Sequence, residues 1–290
     1  YINSAIKVKN PDAFLMAEVY NPNEYRNYIR LGKMDYLYDK VETYDHLKAV
    51  IQEKTWPDGL TDIQHRMTDI EHHMLKFLDN HDEQRLASPE FAGTPEKGKP
   101  LMVVSATIST APTMIYFGQE VGEAGNENAG FGTHSRTSIF DYIGVPNHQR
   151  WMNGGKFDGG QLSQGEKELR DFYKRLLNFS INSSALMGNF QEIQTANRNI
   201  TPGYDIAIYS YTRWSDTQKL IVVTNFYSLA SSNFELRIPA DIIQKWNLKD
   251  GTYTITDQLY HKKTTQLKVE NGEGKAQISI GPSESFIFQL

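Results

Sequence analysis

Two segments of the sequence end in ionisable side chains whose types suit glycosidic bond chemistry. The stretch FLDNHDEQR (77–85) places His81 and Asp82 directly after an apolar segment, and AFLMAEV (13–19) carries Glu18 near its end. In glycosidic bond cleavage one carboxyl group protonates the leaving oxygen, while others stabilise an oxocarbenium-like transition state. A histidine beside them can donate hydrogen bonds to sugar hydroxyls. These residue types predict a sugar-cleaving site, provided that Glu18 and Asp82 converge.

The convergence depends on a predicted parallel β/α sheet. The apolar runs AFLMAEV, MDYLYDKV, MLKFLDN and PTMIYFG predict strands at 13–19, 34–41, 74–80 and 112–118. Helices are predicted between and after them, at 24–31, 44–53, 61–73 and 101–110. Such alternation is typical of a parallel sheet with helical crossovers. Because the carboxyl ends of parallel strands open onto one crevice, we expect Glu18 and Asp82 to meet over one pocket.

The second part of the chain has a different pattern. An amphipathic helix predicted from Ser163 closes a first domain over residues 1–185. After it, short β-rich runs such as KLIVVTNFY and GTYTITDQLY alternate with turn residues at intervals of about ten residues, which is typical of an antiparallel sandwich. We therefore predict an all-β domain over residues 186–290. The segment 118–162 is too long for a simple connection, and long ordered loops usually carry function.

Composition excludes several classes of function. The chain has 290 residues, no cysteine and a formal net charge of -5, so thiolate catalysis, cysteine-ligated zinc and disulfides are excluded. An acidic chain also lacks the basic surface that a nucleic acid or an anionic membrane requires. No apolar run approaches the roughly 20 residues needed to span a bilayer. His65, His72 and His73 have neither an HExxH pattern nor a carboxylate at ligand spacing, so no metal site is predicted from them.

The chain resembles the α-amylase family, family 13 of the glycoside hydrolases. FLDNHD (77–82) is similar to the motif that ends barrel strand seven in that family, and FLMAEVYNP (14–22) is similar to the strand-five motif. PTMIYFGQEVG (112–122) resembles the strand-eight motif less specifically. The resemblance implies an α/β fold: strands five to eight of a (β/α)8 barrel over residues 1–185, followed by the family's C-terminal all-β domain over 186–290.

The resemblance also implies roles for individual residues. Glu18 takes the place of the general acid and base, and Asp82 that of the transition-state stabiliser. From the residue types alone Asp82 would be assigned as the nucleophile, and the resemblance changes that assignment. His81 is expected to contact substrate hydroxyls. Asn80 and Arg85 join it in the expected substrate-binding set, with a role in orienting their neighbours. Aromatic rings can stack on sugars, and the candidates are Tyr116, Phe117, Phe131 and, as the preferred platform in a predicted loop, Trp151.

The chain departs from the family pattern by what it lacks. The family's nucleophilic Asp follows barrel strand four, in a motif with an Arg two residues before it, and no such stretch precedes Glu18. We therefore expect a fragment whose partners are the N-terminal half of the barrel, in the same parent chain, and an α-glucan or maltooligosaccharide substrate. The fragment alone is expected to be inactive. No cofactor is predicted, since the family's calcium is expected mainly in the missing part.

Two functions from different classes remain open. The first is a retaining hydrolase or transglycosylase acting on α-1,4 or α-1,6 glucosidic bonds. The second is a non-catalytic carbohydrate-binding or scaffold relative of the family, which the presence of both Glu18 and Asp82 disfavours. Each residue also has a structural interpretation: Glu18 as a surface carboxylate, and the stretch from Asn80 to Asp82 as a turn cap.

Overall fold

The computed structural model describes residues 1–125, 135–137, 144–260 and 263–290. The aromatic candidate Phe131 lies outside these residues. The chain is a mixed α/β protein in which short parallel strands alternate with helices before a long antiparallel sheet begins. None of the helices in the described part of the chain has the length and apolar character that crossing a membrane requires.

The first part of the chain contains the three parallel strands. They are β1 (Met16–Ala17), β2 (Tyr36–Tyr38) and β3 (Met74–Leu75), paired side by side in chain order. An isolated parallel bridge between Lys76 and Thr113 adds a fourth position. The order and direction are those expected of consecutive β/α units.

The strands are much shorter than the predicted intervals. The run 112–118 forms only the bridge at Thr113, and β1 forms hydrogen bonds to a neighbour on one side only. Apolar composition predicts which segments are extended, but the length of a strand depends on how many backbone groups find a partner.

Helices cover the parallel strands. Their bounds are α1 (Ile2–Lys9), α2 (Tyr25–Arg30), α3 (Asp45–Ile51), α4 (Gly59–Met67), α5 (Pro95–Thr107), α6 (Pro146–Met152), α7 (Gln164–Asn182) and, within the β-rich part, α8 (Ala240–Lys245). A π-helix spans Lys40–Tyr44. The predicted start at Ser163 is correct for α7: the Ser163 hydroxyl accepts from Glu166 N, and the Glu166 carboxylate accepts from Ser163 N, a capping box.

The predicted helix 61–73 is wrong at both ends. Helix α4 begins at Gly59, two residues before the predicted start, and ends at Met67, while Glu71–His73 forms a separate 3-10 turn. Thr61 is buried in the first turn, where its hydroxyl lies 3.1 Å from the Tyr209 hydroxyl, so it packs against the β-rich part.

The second part of the chain is a single antiparallel sheet. Its strands are β4 (Asn189–Glu192), β5 (Ile208–Trp214), β6 (Lys219–Asn225), β7 (Ser232–Ile238), β8 (Gly251–Asp257), β9 (Thr264–Glu270), β10 (Glu273–Ile280) and β11 (Ser285–Gln289). Hydrogen bonds join them in the order β4-β5-β6-β11-β8-β9-β10-β7. The antiparallel strands expected of this region are present, but helix α8 lies among them, and all eight strands belong to one continuous sheet around a shared apolar core.

Strands β5, β6 and β11 join the two parts because they are apolar on both faces. Ile208, Ile221 and Phe286 face the core inside the folded sheet, whereas Tyr209 and Val222 face the core shared with α5 and α7. Burying both faces of these strands removes a large apolar area from water, which stabilises the contact between the two parts. The division at residues 185 and 186 stays a prediction.

Candidate active site

The structure brings Glu18, His81 and Asp82 together just beyond the ends of β1 and β3. One carboxylate oxygen or ring nitrogen of each side chain lies within 4.8 Å of the corresponding atoms of the other two. His81 Nε2 lies 3.4 Å from Asp82 Oδ2. Glu18 is exposed and the other two residues are partly exposed, so one ligand can reach all three. The convergence expected from the strand ends is present.

The surroundings of Glu18 favour its protonated form. Partial burial raises the pKa of its carboxyl group above the ordinary value of 4.5. The nearby charges act in both directions, because His81 lowers this pKa while Asp82 and Glu83 raise it. The net rise means that Glu18 keeps its proton to a higher pH than a free carboxyl group, as a proton donor requires.

Asn80 fixes the turn from which His81 and Asp82 project. Asn80 is buried, with 2% of its surface exposed. Its Oδ1 accepts hydrogen bonds from Asp82 N at 2.9 Å and from Glu83 N at 2.8 Å. An Asn side chain that closes such a turn restricts the following backbone. These contacts give Asn80 an orienting position, and its burial does not support a direct contact with a bound sugar.

Arg85 lies beneath the turn and is fully buried. Its Nη1 donates to Phe117 O at 2.6 Å, its Nε donates to Thr137 Oγ1 at 2.9 Å, and its guanidinium lies over the rings of Tyr116 and Phe117. Arg85 therefore ties the strand-seven-like motif to the strand-eight-like one. Arg85 was predicted to be a substrate-binding residue, but like Asn80 it is buried and has no exposed surface for contact with a sugar.

Asp79 is the buried counterpart of Arg85. Its Oδ1 accepts from Leu86 N at 2.5 Å, and its Oδ2 lies 3.5 Å from Arg85 Nη1. Burial raises the pKa of Asp79 to about 6, and the neighbouring Arg85 guanidinium opposes that rise. A carboxylate with these contacts supports the loop that follows it.

A family model decides the relationship of the chain. The model of the α-amylase catalytic domain matches residues 1–202 of the 290. The chain belongs to the α-amylase family. A comparison with curated protein sequences finds no significant match.

Solved structures of α-amylases have the same fold. A maltogenic α-amylase from Thermotoga neapolitana matches with a TM-score of 0.64 and 18% identity, over 99% of this chain and 57% of that one. The α-amylase of Geobacillus thermoleovorans in complex with acarbose gives 0.68 and 15%, over 99% and 55%. AmyP in complex with maltose gives 0.63 and 18%, over 95% and 55%. The chain spans about half the length of these three proteins.

Trp151 lies apart from the carboxylates of this α-amylase family member. It belongs to α6 and not to the predicted loop, and its ring stacks on His148 at 5.5 Å with Phe157 edge-on at 5.8 Å. With Arg170 it lines a separate cavity of about 450 Å³, beside α7. Its role as a sugar platform stays a prediction, and in the structure its ring lines the cavity beside α7.

Two tyrosines that lie near the carboxylates were not identified as site residues from the sequence. Burial raises the pKa of both Tyr20 and Tyr38, and the negative charges of Glu18 and Asp82 raise these pKa values further. Both phenols therefore remain hydroxyl donors at neutral pH. Tyr20 follows Glu18 by two residues on the same side of an extended segment, a signal that the sequence did offer.

Proposed function

We propose that this chain is the second half of the catalytic barrel, with its C-terminal β-rich part, of a retaining α-glucan-active glycoside hydrolase. The observation that carries the proposal is the approach of Glu18, His81 and Asp82 to within 4.8 Å of one another. Relatives solved with maltose and with acarbose support an oligosaccharide of glucose as the substrate. Linkage and chain length are left to experiment.

In this proposal Glu18 is the proton donor and then the base. Its raised pKa keeps a proton available for the leaving glycosidic oxygen, and once the leaving group has departed the carboxylate can take a proton from the attacking water. The first proton stays on the departing hydroxyl group and the attacking water supplies a second one, so the carboxyl group returns to its starting state and serves both steps.

Asp82 stabilises the positive charge that develops on the sugar ring. Its carboxylate lies close enough to Glu18 to face the same sugar, and His81 beside it can donate to a hydroxyl. A carboxylate at this distance would also fit a nucleophile, since retaining enzymes hold their two carboxyl groups about 5–5.5 Å apart. The family resemblance assigns the nucleophile to an Asp in the N-terminal half of the barrel.

The outer edge of β1 supports a missing partner for this half-barrel. Alternate residues along the strand segment, Phe14, Met16, Glu18 and Tyr20, are all exposed, with 61% of Phe14 and 36% of Met16 open to water. The residues between them are turned into the protein. Among the described residues β1 also pairs with β2 alone, so an unpaired edge lies beside this exposed apolar face, and a closed barrel removes the aggregation hazard of such an edge. We propose that the N-terminal half of the barrel covers it.

Replacing Phe14 and Met16 with Ser tests that contact. In the isolated chain the double variant is expected to self-associate less than the wild type, because the exposed edge loses its apolar side chains. In the complete protein the same change is expected to lower the free energy of unfolding by several kcal/mol, as burial of both side chains would predict. Sedimentation velocity and urea denaturation measure the two effects.

Leu229→Ser is the matched control, because Leu229 is 85% exposed and lies in the loop between β6 and β7. It is expected to change neither quantity appreciably. If the complete protein were as stable with the double substitution as with Leu229→Ser, the surface formed by Phe14 and Met16 would not be covered by the N-terminal half.

Product analysis of the full reading frame tests the function itself. The complete protein is incubated with starch, pullulan and cyclodextrin, and the anomer released from a maltooligosaccharide is followed by proton NMR. Early appearance of the α-anomer supports retention, and the β-anomer would contradict it. Oligosaccharide binding without any new reducing ends would favour the non-catalytic relative.

A further inference from the structure

The side chains of Glu18, His81 and Asp82 offer a mixed set of metal ligands. Two carboxylate oxygens and one imidazole nitrogen face a common point from the ends of two different strands. Among the described residues, no hydrogen bond is donated to the carboxylate of Glu18, and the one polar contact of the Asp82 carboxylate is with His81 itself. Their lone pairs are therefore available to a cation.

The distances suit a small divalent ion after a minor adjustment. Zinc binds nitrogen and oxygen at about 2.0–2.1 Å in a tetrahedral arrangement, which places neighbouring ligands about 3.4 Å apart. His81 Nε2 and Asp82 Oδ2 already lie 3.4 Å apart. The third ligand, Glu18, is exposed and flexible, so its oxygen can close the remaining distance of at most 4.8 Å by a change of side-chain rotamer.

The turn that carries two of the ligands is held in place. Asn80 Oδ1 accepts from Asp82 N and Glu83 N, at 2.9 and 2.8 Å, so the backbone on either side of the Asp82 ligand is restrained before any ion arrives. Restraint of this kind lowers the entropy cost of binding.

The local charge also favours a cation. Glu83, the residue after Asp82, adds a third carboxylate to the same turn. The Glu83 carboxylate forms an ion pair with Lys40 at 3.4 Å and accepts a hydrogen bond from the Tyr44 hydroxyl at 3.2 Å. These contacts keep it out of the ligand set, and its negative charge remains close to the site.

We propose that Glu18, His81 and Asp82 form a zinc-binding site, completed by water on the exposed side, and that zinc there blocks the proton transfer. An imidazole ligand favours Zn²⁺ over Mg²⁺ and Ca²⁺, which prefer sets made only of oxygen. Zinc on the Glu18 carboxylate takes the lone pair that the proton needs. Binding requires only the geometry of this chain, whereas inhibition rests on the proposed function.

Calorimetric titration of this chain with ZnCl₂ in a non-coordinating buffer tests the site. One Zn²⁺ per chain is expected, and His81→Ala is expected to weaken it by at least about tenfold, since loss of even an outer-shell partner has that effect. Co²⁺ is a second probe, because its visible absorption reports nitrogen and oxygen ligands directly. His81→Ala should abolish that absorption.

The controls are His65→Ala on α4 and His72→Ala, which removes one member of the adjacent pair His72 and His73. Both controls should bind Zn²⁺ as the wild type does. Equal zinc affinity in wild type and His81→Ala, or Mg²⁺ binding as tight as that of Zn²⁺, would overturn the site.

The effect on turnover is measured in the complete enzyme. Added Zn²⁺ is expected to inhibit release of reducing ends, and exchange into zinc-free buffer containing Ca²⁺ is expected to restore it. If zinc bound at His81 but left hydrolysis unchanged, the inference that it blocks Glu18 would be overturned. Product analysis without zinc would still decide the proposed function, so the two failures are distinguishable.

Discussion

Replacing Glu18 with Gln in the complete enzyme is expected to lower kcat by about 10²–10⁴-fold, the range that a positioned general acid contributes. Gln has nearly the same shape as Glu, so His81 and Asp82 beside it should keep their positions. Maltooligosaccharide affinity should change little, because the amide can still form hydrogen bonds but cannot release a proton. Initial-rate kinetics and isothermal titration with the same oligosaccharide separate the two quantities.

Glu53→Gln is the matched control for this substitution. Glu53 is exposed just after α3, away from the carboxylate cluster, and the same loss of one negative charge there should leave kcat within twofold. An activated substrate gives a further readout, since a leaving group that departs without protonation should recover much of the lost rate. Unchanged turnover in Glu18→Gln would reject Glu18 as the acid.

The sequence predicts the meeting of Glu18 and Asp82 because the argument needs only strand direction. Once both segments are assigned to parallel strands, their carboxyl ends must open at the same edge, whatever the length of each strand. The segments were correctly placed even though β1 keeps only Met16 and Ala17 of the predicted interval 13–19. Strand direction alone determines which ends lie together, so errors in strand length do not change this prediction, whereas they would change a prediction of packing.

The contacts beneath the site were not predictable in the same way. Lys76 interrupts a predicted apolar strand, and the residues around it in the sequence do not indicate that it pairs with Asp39, which directly follows β2. Arg85 was predicted as a substrate-binding residue that orients its neighbours, but the partners that bury it, Phe117 and Thr137, lie far along the chain. Local pattern predicts which face a residue occupies, and it carries no information on distant partners.

The single sheet of the second part shows the same limit. Alternation within GTYTITD or AQISIG predicts a strand, but not that β11 pairs with both β6 and β8 and so joins the two halves of the sheet. Pairing across long separations in the chain is fixed by the whole core, as the shared burial of Phe286 and Phe288 with Ile255 indicates. Strand identity is local, while strand order is not.

Replacing Lys76 with Met is expected to lower the free energy of unfolding by about 3–5 kcal/mol, the cost of leaving one member of a buried ion pair without its partner. Lys76 Nζ donates to Asp39 Oδ2, and the two side chains are 1% and 0% exposed. Met fills a similar volume, so the loss reports charge and hydrogen bonding more than packing. Urea denaturation followed by far-UV circular dichroism measures it.

Lys245→Met is the control, because Lys245 pairs with Asp241 on the surface of α8 with about half of each side chain exposed. Removal of that pair should cost no more than about 0.5 kcal/mol. An equal loss in the two variants would mean that burial gives the Lys76 pair no special weight.

The double variant Lys76→Met with Asp39→Asn separates the ion pair from the rest of its network. Asp39 also accepts from Thr43 N at 2.9 Å and from Thr43 Oγ1 at 2.6 Å, contacts that begin the π-helix Lys40–Tyr44 and that an Asn oxygen can partly keep. The double variant should therefore be more stable than Lys76→Met alone, because it no longer buries an unpaired carboxylate. If the losses of unfolding free energy in the single variants Lys76→Met and Asp39→Asn simply added, Lys76 and Asp39 would act independently. Recovery of stability in the double variant would instead identify the Lys76–Asp39 ion pair as a contact that links β2 to β3. The turn that follows β3 carries His81 and Asp82.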